Sequence, residues 1–382
     1  MGVGAAGPTP VAAGAIKSMS ELPTSVVAVE PVAGDVRGAI RRALDAVSWR
    51  LVIPRGADIS LKVNLGWDLF IPGSITSPLV AESLILELRD HVGTIYMVEA
   101  DQVLEDIESA FRRSGMAAVC ERTGVEWVNM ERGPTVTVPR PDNVVLREVH
   151  VPQILRDTLL VTVPVMKTHA KTGITGALKN QWGCLSKMRH EYHLVLTDAL
   201  ADLNQVVRPV LSVMDGTVGL EGNGPKSGTP RVADRILCST DPVALDTVQA
   251  ICMGIDPATV PHLRRCAERG IGTDDRTRID VRGLVPEEHV VRFRPARNNT
   301  VSLVENVLRK SALKRLFFNT PLFRLCLAGA KLYYRAWVAL NAERHWRRIR
   351  AHAVYGPQWR PGWPGVDRSV TPGSPGPGSP RT

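Results

Sequence analysis

Strand-like apolar segments alternate with helix-like segments along most of this chain, and this alternation limits the possible folds more than any other feature. The strongest strand-like segment is DTLLVTVPVM (157–166). Others are SVVAVE (25–30), ISLKVNL (59–65), TIYMVEA (94–100), PVLSVMDG (209–216) and RVADRILCS (231–239). Helical patterns lie between them, as in LVAESLILELRDHVG (79–93). Because parallel strands are joined by helical crossovers, the pattern predicts an α/β fold with a mostly parallel sheet flanked by helices.

The clearest helix signal is DPVALDTVQAICMG (241–254). Asp241 is a natural N-cap, because its side chain can accept from free backbone amides, and Pro242 suits the first helical position. Asp246 lies further along the same helix, where its side chain faces either a crevice at the ends of the strands or solvent.

Charge and composition divide the chain into four parts. We predict a flexible lead (1–24), an α/β domain (25–296), a basic aromatic helical extension (297–356) and a disordered Pro/Gly/Ser-rich tail (357–382). Residues 297–352 hold 12 Lys and Arg against 2 Asp and Glu, an excess larger than the +9 net charge of the whole chain. The basic character therefore belongs to the extension and says little about the ligand of the α/β domain.

The extension has two interpretations. Residues 312–352 are helical in pattern and hold seven of the chain's nineteen aromatic residues. Arg324, Lys331 and Arg335 interrupt the apolar run, so it is too polar to span a membrane. It either packs on the α/β domain or binds an anionic membrane surface or a protein partner. Nucleic acid is a disfavoured partner, because no recognised nucleic-acid motif accompanies the basic residues.

The cysteines and the N-terminus indicate the compartment. None of the six cysteines forms a CxxC pair, so the sequence lacks the ligand runs of zinc ribbons and iron–sulfur clusters. Scattered single cysteines suit a reducing compartment, and the N-terminus lacks the pattern of a signal peptide. We expect a cytoplasmic protein, with membrane association left open by the extension.

A cationic, hydroxyl-rich stretch, KTHAKTGITGALKN (167–180), directly follows the strongest predicted strand. It contains no acidic residue, and its two glycines let the backbone turn tightly and approach a ligand. Ammonium groups, threonine hydroxyls and the amides that begin a helix all bind anions. A lysine-rich loop is often plain solvated surface, but the preceding strand favours an anion-binding active-site loop.

Candidate roles follow from the chemistry of each side chain. Lys167 and Lys179 supply positive charge, and His169 is the candidate acid/base because imidazole titrates near neutral pH. These three are the predicted catalytic residues. The residues predicted to bind the substrate are Lys62, Asn64, Thr175, Gly176 and Asn180. Since the carboxyl ends of parallel strands meet at one edge of a sheet, we expect the catalytic and substrate-binding candidates to share a crevice.

Two pairs of residues are candidate metal ligands. Asp215 and Glu221 follow a predicted strand, where they would bind a divalent cation or position Lys167 or His169; otherwise they belong to turns. His190 and His193 are three residues apart on a predicted helix and could bind a metal together.

These motifs in combination resemble those of domain-of-unknown-function family 362. They are the KxN strand end, VPVMKTHAKTGITGALKNQWG (163–183), MDGTVGLEGNGPKSGTP (214–230) and STDPVALDTVQAICMGIDP (239–257). The resemblance spans roughly residues 58–275. Some members carry a ferredoxin-type iron–sulfur module; this chain lacks its cysteine runs, so no iron–sulfur cluster is expected. The resemblance implies a domain and leaves the chemistry open.

A second likeness covers a single motif. His169 followed by Thr175, Gly176, Ala177 and Lys179 is similar to the histidine and Ser-Gly-Gly-x-Lys pattern of the nickel-pincer lactate racemases. Those enzymes move hydride at a hydroxy acid on a nucleotide-derived cofactor. The cofactor of this chain stays open between a divalent metal and a nucleotide-derived group.

The sequence supports two functions. The first is an enzyme, isomerase- or racemase-like or a group transferase, that acts on a small carboxylate or phosphate with His169 as acid/base. The second is a non-catalytic module that binds an anion or cofactor, with the extension docked to a membrane surface.

Overall fold

A computed structural model describes residues 25–66, 68–101, 107–185, 192, 194–224, 227–296 and 322–366. The predicted lead, His190, His193, residues 297–321 and the tail beyond residue 366 lie outside these ranges.

The predicted α/β fold is confirmed. The described strands are β1 (Ser25–Pro31), β2 (Ile59–Lys62), β3 (Ile95–Glu99), β4 (Glu126–Asn129), β5 (Thr135–Pro139), β6 (Glu148–Pro152), β7 (Leu159–Thr162), β8 (Val165–His169), β9 (Gly173–Thr175), β10 (Leu211–Glu221), β11 (Thr229–Ser239) and β12 (Ile279–Gly283). Ten of them form one sheet in the order β12-β1-β11-β10-β7-β2-β3-β4, with β8 beside β10 and β9 beside β8, while β5 and β6 form a separate hairpin.

Most neighbours in the large sheet are parallel. The run from β10 through β7, β2 and β3 to β4 is parallel throughout, as are the pairs β1–β12 and β8–β10. Antiparallel pairing is confined to β11 with its two neighbours and to the β8–β9 ribbon. The carboxyl ends of β2, β3 and β7 therefore point the same way.

Helices cover the sheet. They are α1 (Val36–Ala46), α2 (Pro78–Leu88), α3 (Ile107–Arg113), α4 (Met116–Thr123), α5 (Ile154–Asp157), α6 (Ala177–Asn180), α7 (Leu196–Val206), α8 (Pro242–Cys252), α9 (Pro261–Glu268) and α10 (Leu322–Arg350). Asp241 caps α8 as predicted, accepting from the amides of Val243 and Ala244 at 2.9 and 3.0 Å. Every residue of β2 is buried, as expected for a parallel strand covered on both faces.

The predicted strand 157–166 is two strands. Pro164 has no amide hydrogen to donate, and the chain breaks there between β7 and β8. β7 pairs with the start of β10 at Leu211, and β8 pairs with it further along, at Asp215 and Leu220. Lys167 and His169 therefore belong to a strand, although the sequence suggested a loop.

The C-terminal part of the extension packs on the α/β domain. Ile349 is buried in the core with Ala39, and Trp346 contacts Phe70 edge-on at 5.8 Å between ring centroids. The expected disorder from residue 357 is wrong for 357–366, where buried Gln358 accepts from Ser77 Oγ at 2.6 Å. No helix in the described part of the chain is long and apolar enough to cross a membrane.

Candidate functional site

A buried ion pair joins the ends of the adjacent parallel strands β2 and β3. Lys62 Nζ lies 2.9 Å from the Glu99 carboxylate, and the two side chains are only 1% and 2% exposed. Glu99 also accepts from the amides of Leu65 and Ala100 at 3.1 and 3.0 Å. These donors offset the loss of hydration that both charges suffer on burial.

Lys167 projects from β8 into the same region. Its Nζ donates to Asn64 Oδ1 at 2.8 Å and to the carbonyl oxygen of Ser74 at 2.9 Å. Burial lowers the pKa of Lys167 to about 7, with smaller lowering effects from Lys179 and Lys62. A substantial neutral fraction of this amine is therefore present at neutral pH, which an exposed lysine lacks.

Two asparagines connect Lys167 to Lys62. Asn64 Nδ2 donates to Asn180 Oδ1 at 3.0 Å. Asn180 Nδ2 in turn donates to Thr162 Oγ1 at 2.9 Å and to the carbonyl oxygen of Lys62 at 3.3 Å. The two amides thereby have fixed orientations. The structure thus brings four of the sequence-predicted residues, from β2, the β2–α2 loop, β8 and α6, into one hydrogen-bonded network.

Thr175 faces Lys167 across the β8–β9 ribbon. The two residues are paired in register, and paired residues of antiparallel strands project from the same face. Thr175 is 5% exposed, and its hydroxyl has no hydrogen-bond partner among the described residues. A buried hydroxyl is rarely left in this state, so the site offers a polar group that a ligand can satisfy.

Gly176 lies where α8 approaches the start of α6. The Asp246 carboxylate accepts from the amides of Ala177 and Leu178 at 2.6 and 3.0 Å, and Gln249 Nε2 donates to the Thr175 carbonyl oxygen at 2.9 Å. A Cβ at Gly176 would overlap the Asp246 carboxylate, which explains the glycine. Burial raises the pKa of Asp246 to about 7 against the opposing effect of the two amides. Asp246 therefore caps α6, and the amides there are already bonded.

His169 has a fixed ring orientation. Its Nδ1 accepts from the backbone amides of Lys171 and Thr172 at 3.0 and 3.3 Å. In the neutral imidazole the proton then lies on Nε2. His169 and Lys167 are two residues apart in β8 and share one face of the strand.

Lys179 lies at the edge of the cluster. It is half-buried, and its Nζ is 5.7 Å from the centroid of the Trp182 ring. It is close enough to Lys167 to lower the pKa of that amine. Asn64 and His169 are also half-buried, so these three residues mark the side on which the buried cluster meets solvent.

Asp215 and Glu221 have separate protein partners. Asp215 accepts from the hydroxyl and amide of Thr217 at 2.6 and 3.0 Å and from the Ser77 amide at 2.8 Å. Glu221 accepts from the amide and Nε of Arg294, both at 3.0 Å. The described residues contain no group of three or more His, Cys, Asp or Glu suited to a metal ion. Both carboxylates are therefore held in place by donors from the protein.

The sequence did not assign a role to Glu99 or Ser74. Glu99 ends a strand beside the strand of Lys62, so the adjacency of β2 and β3 is the signal that would have found it. Ser74 contributes a backbone carbonyl, which leaves no signal in the side-chain pattern.

Comparison with known families shows which domain contains this network. The family model "Domain of unknown function (DUF362)" matches residues 59–250, half of the chain. The chain belongs to the DUF362 family. The resemblance found in the motifs is therefore confirmed, and Lys62, Glu99, Lys167 and Asp246 all lie inside the matched region of this DUF362 domain.

A curated relative carries one further description. The chain is 33% identical over 113 residues to "Thylakoid-associated protein sll1697" of Synechocystis sp.. The similarity covers 28% of this chain and 35% of that protein, so the chain spans about a third of the length of the relative it matches.

Proposed function

We propose that the protein is an enzyme that binds a small carboxylate or phosphate beside Lys167, Thr175 and Lys179 and transfers a proton on it through Lys167. The observation that carries this proposal is the pairing of Lys167, held by Asn64 and Ser74, with Thr175, whose buried hydroxyl has no hydrogen-bond partner in the described part of the chain.

The charges favour an anion. The ammonium groups of Lys62 and Lys179 both act electrostatically on Lys167, as do the carboxylates of Glu99 and Asp215. Glu99 is neutralised by Lys62, and the Asp215 carboxylate already accepts from Thr217 and Ser77. Positive charge therefore predominates where Lys167 and Lys179 approach the half-buried edge, and an anion bound there would compensate it.

Lys167 is better suited than His169 to accept a proton. A pKa of about 7 gives Lys167 both forms at neutral pH, which general acid–base catalysis requires. His169 uses the Nδ1 lone pair for two backbone amides, so its Nε2 carries a proton and cannot act as a base without a tautomer change. We assign His169 as a hydrogen-bond donor to the bound anion, in place of the acid/base role expected from the sequence.

The reaction class that fits is proton abstraction next to a carboxylate, as in isomerases and racemases. The test uses the full chain in D₂O with a panel of 2-hydroxy carboxylates, and proton NMR follows loss of the signal of the hydrogen on the carbon next to the carboxylate. We expect exchange that Lys167→Met abolishes and that Lys331→Met, the same change on α10, leaves intact.

The other outcomes separate the two functions. Binding of a panel member or of inorganic phosphate, weakened in Lys167→Met but without exchange, would establish the non-catalytic module. Equal exchange or equal binding in both lysine variants would remove Lys167 from the site.

A second function is favoured by the surface of α10. Leu332 and Leu340 are 69% and 84% exposed, and they lie on one side of the helix at a spacing of eight residues, among Arg335 and Arg347. We propose that this face binds an anionic membrane surface from the cytoplasm. The similarity to a thylakoid-associated protein supports this.

Sedimentation with phosphatidylglycerol vesicles tests the membrane proposal. The double variant Leu332→Asp and Leu340→Asp should sediment less than the wild type. The matched control places the same charges at Leu51 and Val144, which are exposed apolar residues outside α10. Equal sedimentation of the two double variants would refute docking through α10.

A further inference from the structure

Gln358 connects the C-terminal segment to the loop between β2 and α2. Its Oε1 accepts from Ser77 Oγ at 2.6 Å and from the Leu79 amide at 2.9 Å, and its Nε2 donates to the Tyr355 carbonyl oxygen at 3.2 Å. Gln358 is buried, and 281 residues separate it from Ser77. A buried amide with all of these bonds made fixes the first turn of α2 firmly.

The same loop reaches the proposed anion site at two points. The Ser77 amide donates to Asp215 Oδ2 at 2.8 Å, and the Ser74 carbonyl oxygen accepts from Lys167 Nζ at 2.9 Å. Asp215 acts electrostatically on Lys167. A chain of hydrogen bonds therefore runs from Gln358 through Ser77 to Asp215, and the charge of Asp215 acts on Lys167.

Apolar contacts hold the loop against the same C-terminal segment. Ile71 is buried in a cluster with Ala342, and Trp337 and Trp346 pack against that cluster. Phe70 lies 5.8 Å from both Trp346 and Trp359, between ring centroids. The loop thus has little room to move independently of residues 337–359.

We propose that Gln358 is a positioning residue that holds Ser77 and thereby keeps the Asp215 carboxylate in place, so that the C-terminal segment controls the electrostatic interaction between Asp215 and Lys167. The importance of this control for catalysis rests on the proposed function, but the control itself does not.

The direction of the effect follows from the groups around Lys167. Glu99 and Asp215 raise its pKa, while burial, Lys179 and Lys62 lower it. The Ser77 amide favours the ionised form of Asp215. Without Gln358 this amide is no longer held, Asp215 loses negative charge, and Lys167 loses an interaction that favours its protonated form.

The experiment measures the pKa of Lys167 by NMR of ¹³C-labelled lysine Cε in the full chain, with the signal assigned by its absence in Lys167→Met. Gln358→Met keeps the size of the side chain and removes its acceptor. We expect the pKa of Lys167 to fall by about 0.5 to 1 in this variant. The control is Trp363→Ala, which lies in the same C-terminal segment as Gln358 and removes an aromatic contact to Arg122. In this control the pKa of Lys167 should not change.

A conservative variant gives an independent readout. Gln358→Glu keeps the acceptor oxygens and adds negative charge, so the pKa of Lys167 should equal or exceed that of the wild type. An unchanged pKa in Gln358→Met, an equal fall in Trp363→Ala, or a fall in Gln358→Glu would overturn the proposal. The last comparison decides the matter if Gln358→Met does not fold.

Binding of inorganic phosphate separates this inference from the proposed function. The pKa measurement needs no ligand, so a shift in Gln358→Met without phosphate binding by the wild type would support the positioning role and count against the anion site. Phosphate binding that depends on Lys167, with an unchanged pKa of Lys167 in Gln358→Met, would support the anion site and count against the positioning role.

Discussion

At the scale of single residues, Lys167 and Asp246 are buried groups whose pKa values move towards neutrality from opposite sides. Burial disfavours the charged form in both cases, so the amine loses basicity and the carboxyl loses acidity. Each shift links the stability of the fold to pH, and the two groups do so over different pH ranges.

Lys167 should make the protein more stable as the pH rises above neutrality. Its pKa is about 7 in the folded protein, against 10.5 for an ordinary lysine, so between these values the unfolded chain binds more protons. Relative to Lys167→Met, the wild type should gain about 2 kcal/mol in the free energy of unfolding between roughly pH 7.5 and 9.5. Urea unfolding of both proteins across this range measures the difference. Parallel pH profiles would show that Lys167 keeps an ordinary pKa.

Asp246 should make the protein less stable as the pH rises from the acidic range to neutrality, the opposite of Lys167. Its pKa is raised from 3.8 to about 7, so the stability it contributes is fully present below about pH 4 and is lost as the pH rises through 7. The advantage of the wild type over Asp246→Asn should therefore shrink from pH 4 to pH 7. Asp45→Asn, at an exposed ion pair with Arg50, is the control. A constant difference across this range would contradict the shifted pKa.

At the scale of elements, the β2–α2 loop depends on a close approach to β10. Gly73 has φ +85°, and a Cβ there would overlap the Gly219 carbonyl oxygen. Only glycine satisfies both the left-handed backbone and the contact. The neighbouring Ser74 carbonyl that binds Lys167 is placed by this contact.

Gly73→Ala should therefore damage both stability and the site. Gly56 has a similar φ of +79°, but a Cβ there meets nothing within 4 Å. Gly56→Ala therefore measures only the cost of the left-handed backbone for alanine, about 1 kcal/mol. We expect Gly73→Ala to cost at least about 2 kcal/mol more. Thermal unfolding measures this, and binding of phosphate should weaken in Gly73→Ala only. Similar losses in the two variants would mean that the loop adapts freely.

The elements also show what a sequence can reveal about this site. Alternating strands and helices predict that the ends of β2 and β8 converge, and Lys62, Asn64, Lys167 and Asn180 do lie in one network. The break at Pro164 was not predicted, because a buried apolar run does not show where a strand changes its pairing along β10.

At the scale of the whole molecule, the least predictable contacts join segments far apart in the chain. Gln358 reaches Ser77 across 281 residues, and Ile349 is buried in the core that contains Ala39. Pro and Gly between residues 357 and 366 suggested disorder, but Trp359 and Trp363 in the same stretch pack on that core. Composition averaged over a tail conceals such anchors, since a few aromatic residues are enough to fix a short segment.

These anchors imply that the C-terminal segment unfolds together with the α/β domain. Ile349 is 1% exposed, so Ile349→Ala should cost about 2 to 4 kcal/mol. Leu340, 84% exposed on the same helix, should tolerate alanine within about 0.5 kcal/mol. If the molecule is one cooperative unit, Ile349→Ala lowers the midpoint of a single urea transition and speeds amide exchange in β2 and β3 as well as in α10. Faster exchange confined to α10, with β2 and β3 unchanged, would show that the segment is a separately folding appendage. In that case Gln358 could not hold the loop that positions Lys167.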